Sequence, residues 1–145
     1  MLFRSPLLTQ LLRDLDTAAG QDLDDYAHLH QVRIAGKRLR YAMEVFGECF
    51  APPFREKLYP AVEEMQEILG RANDSHVASL RLAELRDRLR KAAPTAWSRL
   101  RPGVEALLRH HQRRVPQERR RFLKWWQRWQ DTGGEAALAS LLKSS

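Results

Sequence analysis

The amino-acid sequence predicts an all-α protein. Apolar residues recur every three or four positions along most of the chain, which is the spacing that places them on one face of a helix. Alternating runs of β-branched residues, which would indicate strands, are absent from the sequence, and glycine and proline number only seven each. With 145 residues the chain can enclose one hydrophobic core. We therefore expect a single domain over residues 1–145, an antiparallel helical bundle resembling a four-helix bundle, with extra terminal helices.

Start and stop signals divide the chain into helices. Ser5 and Pro6 are typical of a helix N-cap and first helical position, and Gly20 closes the helix that they open. The acidic segment that ends at Asp25 favours a second helix start, because carboxylates are stabilised at the positive end of a helix. That helix stops at Gly47. The predicted helices cover residues 7–19, 22–46, 54–69, 74–91, 102–131 and 135–143, with a turn at 92–95.

Glycine and proline interrupt the helical pattern in the second half of the chain. Gly70 is expected to end or bend the third helix, and Asn73 or Asp74 to cap the fourth. Pro116 lies midway along the segment 102–131 and removes a backbone donor there. This basic segment therefore forms one long helix or two shorter ones.

The charge distribution favours an anionic partner. The chain has 25 Lys and Arg against 18 Asp and Glu, a net charge of +7 and an isoelectric point near 10.2. The basic residues concentrate between positions 99 and 128, whereas the segment 14–25 is acidic. Such asymmetry indicates an anionic partner, although charge alone does not identify which one.

Cysteine usage and hydropathy indicate the cytoplasm. Cys49 is the only cysteine, so no internal disulfide can form and a reducing compartment suits the chain. The N-terminal sequence MLFRSP lacks the long apolar stretch of a signal peptide. No run of about 20 uncharged residues is available for a membrane span. We expect a cytoplasmic protein.

The most informative stretch is HQVRIAGKRLRYAME over residues 30–44. On a helix, at about 100° per residue, its apolar residues gather on one side and its basic residues on the other. We name the basic side the cation track; it comprises His30, Arg33, Lys37, Arg40 and Tyr41, with Arg38 at its edge. Like charges at this spacing oppose helix formation unless an anion binds them. The track therefore favours a polyanion ligand, and a merely solvated basic face is the alternative.

Two motifs resemble those of a known family. H-x-x-R-x-x-x-K-R-L-R-Y over residues 30–41 is followed by L-Y-P…Q-E-I-L-G-R-A-N-D over residues 58–74. Together they resemble the CHAD family, the conserved-histidine α-helical domain, and the long basic last helix with its tryptophans is also similar. The resemblance implies a helical protein that binds inorganic polyphosphate and associates with polyphosphate granules.

The resemblance covers one half of the family's architecture. Family members of this type contain two four-helix bundles related by an internal repeat, with a basic surface or channel between them. The motif pair occurs once here, so the chain resembles the second half-domain alone, with core motifs over residues 28–91 and the long basic helix over 102–131. A single bundle would offer an open basic groove, or complete its site by self-association. We therefore expect a homodimer or contact with a second half-domain.

Matched positions carry the expected site residues. The resemblance assigns ligand binding to His30, Arg33, Lys37, Arg38, Arg40 and Tyr41. Four residues of the second motif are expected to be structural, as turn, cap and interhelical hydrogen bonds: Gln66, Gly70, Asn73 and Asp74. Basic residues of the next long helix extend the anion-binding surface, unless that face is only solvated: Arg109, Arg113, Arg114, Arg119, Arg120 and Arg121.

Nucleic acid is the main alternative ligand. Trp125, Trp126 and Trp129 could stack on bases, as aromatic side chains of nucleic-acid-binding proteins do. However, Phe122, Trp125 and Trp129 fall at i, i+3 and i+7, the spacing of a core stripe, which favours core or self-association contacts. A third interpretation is a scaffold whose basic face meets an acidic protein partner.

The sequence indicates neither a catalytic nor a metal site. A glycine-rich phosphate loop, a nucleophile elbow and a metal-binding carboxylate cluster are all absent from it, so we expect a non-catalytic binding protein without a cofactor. The remaining histidines lack metal-ligand spacing and are interpreted as satisfied or surface residues. They are His28, His76, His110 and His111.

Overall fold

A computed structural model describes residues 4–143; residues 1–3 and 144–145 lie outside this part. Its five α-helices are α1 (Arg4–Ala19), α2 (Tyr26–Phe46), α3 (Tyr59–Ala92), α4 (Pro94–Asp131) and α5 (Gly134–Lys143). Between α2 and α3 lie a 3₁₀ turn at Gly47–Cys49 and a π turn at Phe54–Leu58. Every regular element of the described residues is helical, which confirms the predicted all-α class.

The first two helices follow the predicted pattern closely. Asp25 is the N-cap of α2, where its carboxylate accepts a hydrogen bond from the Ala27 N–H at 2.9 Å. Val32 and Leu39 on the apolar side of α2 are fully buried. The start predicted for α1 was three residues too late, because the helix begins at Arg4. Pro6 is accommodated in its first turn, where a missing N–H leaves no hydrogen bond unmade.

The third helix continues across the glycine that was predicted to end it. Gly70 lies inside α3, and the predicted break into two helices was wrong. Glycine in a helix interior costs only about 1 kcal/mol relative to alanine. Leu69 and Ala72, on either side of Gly70, are buried in the core. This packing favours one continuous helix, so Asn73 does not cap a new one.

The basic segment is also one helix, longer than predicted. It begins at Pro94 instead of residue 102, because the fixed φ of proline suits a first helical position. Of the predicted turn at 92–95, only Ala93 lies outside a helix. Pro116 lies within α4 and does not end it. The helix ends at Asp131, as predicted, and Gly133 follows it with a φ of 68°, a left-handed conformation that stops α4.

One hydrophobic core joins all five helices. α2 packs against α1 and α3, α4 packs against α3, and α5 contacts α1 and α4, an arrangement compatible with the predicted bundle. The largest fully buried apolar side chains include Leu8, Leu15, Leu39, Met43, Phe54, Met65, Phe122 and Leu138. This core ends at Ala72 on α3 and begins again at Phe122 on α4. Because α3 and α4 are about 51 and 57 Å long, they extend beyond the core as a two-helix hairpin, residues 73–121, named the distal hairpin.

Candidate functional site

The cation track lies along the seam between α2 and α3. Its residues fall within an arc of about 100° on α2, on the side of the helix that meets α3. Four members are partly buried: His30, Arg33, Lys37 and Arg40. Tyr41 is 45% exposed, and Arg38 at the edge is also exposed. The structure therefore gathers the predicted residues of α2 on one continuous surface, named the α2–α3 seam.

Hydrogen bonds and a close helix approach fix the seam. Gln66 Nε2 on α3 donates to the backbone oxygen of Arg33 at 3.3 Å, and the Tyr26 hydroxyl donates to Asn73 Oδ1 at 2.9 Å. Gly36 allows the approach, because a Cβ at that position would lie 2.8 Å from Gln66 Nε2. The structural role predicted for Gln66 and Asn73 is confirmed, although Asn73 joins two helices instead of capping one.

At the C-terminal end of the track, the Glu44 carboxylate contacts a tyrosine hydroxyl and one cation, and two cations lie near the Tyr41 ring. The Tyr59 hydroxyl donates a hydrogen bond to Glu44, and chiefly this bond raises the pKa of Tyr59 to about 12. Arg40 Nε lies 3.9 Å from Glu44 Oε1, close enough for an ion pair but too far for a hydrogen bond. Arg40 Cζ and Lys37 Nζ lie 5.1 and 5.7 Å from the centroid of the Tyr41 ring, within cation–π range.

At the N-terminal end, two histidines and a tyrosine form a ring cluster. The Tyr26 and His76 rings are stacked, with centroids 3.6 Å apart and planes inclined by 13°, and the His30 ring lies 6.1 Å from Tyr26. Burial raises the pKa of the Tyr26 hydroxyl, whereas the Arg33 charge lowers it. Burial lowers the pKa of His76, and the charge of His30 lowers it further. The sequence did not reveal this role of His76, because its partner lies on another helix.

Two buried nitrogen atoms of the track have no hydrogen-bond partner among the described residues. They are His30 Nδ1 and Arg40 Nε. A buried polar group left unpaired costs about 1–3 kcal/mol. The two residues are separated by about 15 Å along the helix axis. Anion oxygens would satisfy both nitrogen atoms, with His30 donating through Nδ1 when that atom carries the proton. Their separation suits an elongated anion.

The predicted residues of α4 lie on a different surface. Arg109 and Arg113 are exposed and line a pocket of about 400 Å³ to which no track residue contributes. The pocket is lined by Ala106, Arg109, His110, Arg113 and Gln117. The next arginines form ion pairs: Arg119 Nε lies 3.2 Å from Asp24 Oδ1, and Arg114 and Arg121 pair with Glu118. Arg119 thus joins α4 to the segment before α2, whereas Arg114 and Arg121 pair within α4, and the sequence revealed neither role.

The three tryptophans near the C-terminal end of α4 pack in or against the core, as their spacing predicted. Trp125 and Trp129 are 3% and 4% exposed, and Trp126 packs partly buried against the same core. Trp125 Nε1 donates to the backbone oxygen of Ala61 at 2.9 Å. Trp125 and Trp129 therefore offer no free faces for base stacking. Of the two kinds of contact that their spacing favoured, Trp125 and Trp129 therefore make the core contact.

Metal-ligand clusters and membrane-spanning helices are both absent from residues 4–143. Within that range, no three His, Cys, Asp or Glu side chains are grouped so that they could hold a metal ion. None of the helices in that range combines the length and apolar character needed to cross a membrane.

Comparison with known families gives one match. Residues 3–83 match the family model described as the CHAD domain, which is more than half of the chain. The matched segment contains α1, α2 and α3 as far as Ala83, and so it includes the whole α2–α3 seam. Neither the curated proteins nor the solved structures contain a significant match.

Proposed function

The chain belongs to the CHAD family, and from this membership and the geometry of the cation track we propose that it binds inorganic polyphosphate without catalysing a reaction. CHAD domains are in general non-catalytic binding domains associated with polyphosphate. The observation that carries the proposal is a pair of buried nitrogen atoms at the two ends of the track, His30 Nδ1 and Arg40 Nε, which make no hydrogen bond to any described residue. A polyphosphate chain laid along the seam supplies oxygen atoms to both.

The middle of the track supplies the uncompensated charge. Arg33 and Lys37 form no ion pair with any described residue, and both are partly buried. Arginine offers a planar fork of donors to phosphate oxygens, and lysine a compact charge. Glu44 lies at one end of the track, where its carboxylate already accepts a hydrogen bond from the Tyr59 hydroxyl. The ligand therefore meets cations along the middle of the seam, with Glu44 at one end and the α3 carboxylates Glu63 and Asp74 near its margin, close enough to act on Tyr59 and Tyr26.

Polyphosphate suits this surface better than nucleic acid does. Single-stranded nucleic acids bind through stacking on exposed aromatic rings as well as through charge. Tyr41 is the exposed ring of the track, and Lys37 and Arg40 already lie near it. Trp125 and Trp129 are buried in the core. Because polyphosphate has no bases, its binding does not depend on such platforms.

A competition experiment tests this function. Labelled long-chain polyphosphate is bound to the full chain at physiological salt and challenged with single-stranded RNA at equal phosphate concentration. We expect RNA to leave the complex largely intact, because Tyr41 is the exposed ring of the track and Lys37 and Arg40 already lie near it. Displacement by RNA would instead favour a nucleic-acid-binding protein. Binding that is unchanged in molar salt would contradict an electrostatic site.

The proposal extends to assembly and location. We propose that the chain acts as one half-domain at polyphosphate granules and that it self-associates or meets a second half-domain. Support comes from the single motif pair and from leucines of the distal hairpin that are 43–55% exposed: Leu80, Leu85, Leu100 and Leu107. Light scattering at high protein concentration, with and without polyphosphate, tests this. A strictly monomeric species in both conditions would exclude self-association.

A further inference from the structure

A second cationic surface lies in the groove between α3 and α4. The α3–α4 groove has a volume of about 470 Å³. That volume is within the usual range for small-ligand sites of about 300–1,000 Å³. Its walls include Glu64, Ile68 and Arg71 from α3, and Arg121, Lys124 and Arg128 from α4. Three of its four cations lie beyond residue 83 and so outside the segment that matches the CHAD domain.

A buried carboxylate positions two of these cations. Glu118 is fully buried, which is rare for a glutamate unless it is paired. Arg71 Nε donates to its Oε2 at 3.3 Å, and Arg121 Nη1 donates to its Oε1. Arginine has five N–H donors, so each guanidinium keeps others for a ligand. Glu118 therefore orients Arg71 and Arg121 before any ligand arrives.

The charges in the groove do not balance. Four cations and one carboxylate, Glu64, line the groove, and the buried Glu118 is shared among Arg71, Arg121 and Arg114, which leaves an excess of at least two positive charges. Lys124 forms no ion pair within residues 4–143. Arg128 Nη2 lies 3.3 Å from Glu64 Oε1, but their side chains are 64% and 53% exposed, so this pair is weak and a ligand can compete with it. A ligand with at least two negative charges would neutralise the excess.

An acidic strip of α3 separates this groove from the seam. At about 100° per residue, Gln66 and Asn73 lie toward α2, whereas Ile68 and Arg71 lie toward α4. The exposed face between the two directions carries three carboxylates, those of Glu63, Glu67 and Asp74. A polyanion on the seam would have to pass these carboxylates to reach the groove. The two cationic surfaces are therefore independent.

We propose that the α3–α4 groove is a second anion site, which binds a compact diphosphate group. Its two phosphoryl groups supply the negative charge that the groove lacks, and their oxygens match the free donors of Arg71 and Arg121. The same group occurs in inorganic pyrophosphate and in nucleoside diphosphates. This site goes beyond the proposed function, because none of its residues belongs to the cation track.

Nuclear magnetic resonance titration of the ¹⁵N-labelled full chain tests the site, with pyrophosphate in one arm and ADP in the other. We expect saturable shifts of the backbone amides of residues 68–71 and 121–128. Tighter binding of pyrophosphate identifies the inorganic anion as the ligand, and tighter binding of ADP identifies the nucleotide. Shifts confined to residues 30–41, or no saturable shifts, would overturn the proposal.

A matched pair of charge reversals completes the test. Lys124→Glu is expected to weaken diphosphate binding by about tenfold or more. Arg99→Glu makes the same charge change at the far end of α4 and should leave binding unchanged. Both side chains are exposed and form no ion pair with described residues, so neither change should affect folding. Equal loss in the two variants would show a general charge effect and overturn the site.

The two sites can fail separately. Alanine at Arg33, Lys37 and Arg40 should weaken long-chain polyphosphate binding by about a hundredfold and leave diphosphate binding intact. Lys124→Glu should weaken diphosphate binding and leave long-chain polyphosphate binding intact. If the triple variant binds neither ligand and Lys124→Glu still binds both, the second site is overturned and the proposed function stands. If Lys124→Glu loses long-chain polyphosphate binding and the triple variant keeps it, the groove is not independent and polyphosphate is not bound at the seam.

Discussion

Removing three charges from the cation track should greatly weaken polyphosphate binding. The variant replaces Arg33, Lys37 and Arg40 by alanine. Charge-assisted hydrogen bonds contribute about 1.5–3 kcal/mol each when well formed. Because these side chains are only partly buried, a discounted value of about 1 kcal/mol each is appropriate. The sum of about 3 kcal/mol corresponds to roughly a hundredfold loss of affinity.

The salt dependence gives an independent measure of the same contacts. For single-stranded polyanions, each phosphate that is neutralised contributes about −0.7 to the slope of log K against log salt. With the four cations Arg33, Lys37, Arg38 and Arg40, the affinity should fall about fiftyfold between 50 and 200 mM salt. In the triple variant, which keeps only Arg38 of these four cations, the affinity should fall only about threefold over the same salt range. Fluorescence anisotropy with labelled polyphosphate measures both the affinity and this slope.

Folding should survive the triple substitution. Arg33 accepts the Gln66 hydrogen bond through its backbone oxygen, which alanine retains. Relief of like-charge repulsion is expected to raise the melting temperature slightly. A matched control replaces three exposed cations of the distal hairpin by alanine, Arg88, Lys91 and Arg99, and changes the net charge equally. If the track variant binds like the parent, or if both variants lose the same affinity, the track is only a solvated face.

Two further predictions concern stability. Leu39→Ala should lower the free energy of unfolding by about 2–5 kcal/mol, because it leaves a cavity beneath α2. The control Glu63→Ala should barely change that free energy. Denaturant unfolding measures both variants, and equal effects would contradict the assignment of Leu39 to the core. Burial and the charge of His30 lower the pKa of His76 in the folded state below its ordinary value of 6.5. The unfolded state therefore binds more protons at His76, so the free energy of unfolding should fall as the pH drops below about 6.5. His76→Gln should reduce this loss in thermal melts between pH 7.5 and 5.5, and an unchanged pH profile would show that His76 does not contribute to it.

Helix positions could be predicted wherever the deciding interaction is local. The start of α2 at the acidic segment that ends at Asp25 depends on neighbours within a few residues, and that prediction was confirmed. The predicted break at Gly70 was wrong because the local cost of glycine, about 1 kcal/mol, is smaller than the gain from burying the adjacent Leu69 and Ala72. Long-range packing decided the outcome there, and no local pattern encodes it.

The same distinction separates the two cationic surfaces. The cation track lies on one helix, so its spacing of three, four and seven residues is visible in the sequence. The stack of His76 on Tyr26 and the group around Glu118 join different helices, and their residues are far apart in the chain. Glu118 illustrates the difficulty, because in the sequence it is one carboxylate among arginines. Only the packing of α3 against α4 shows that it is buried.

The unliganded track carries a free-energy cost that the fold only partly offsets. Arg40 is near Glu44, and Tyr41 lies near two cations, but exposed contacts of this kind contribute about 1 kcal/mol or less. Arg33 and Lys37 keep their mutual repulsion, and His30 Nδ1 and Arg40 Nε make no hydrogen bond to any described residue. A bound polyanion removes these costs and adds its own contacts. Relief of these unfavourable interactions therefore contributes part of the free energy of binding. For this reason a basic helix that is poorly stabilised in the unliganded protein can bind a polyanion well.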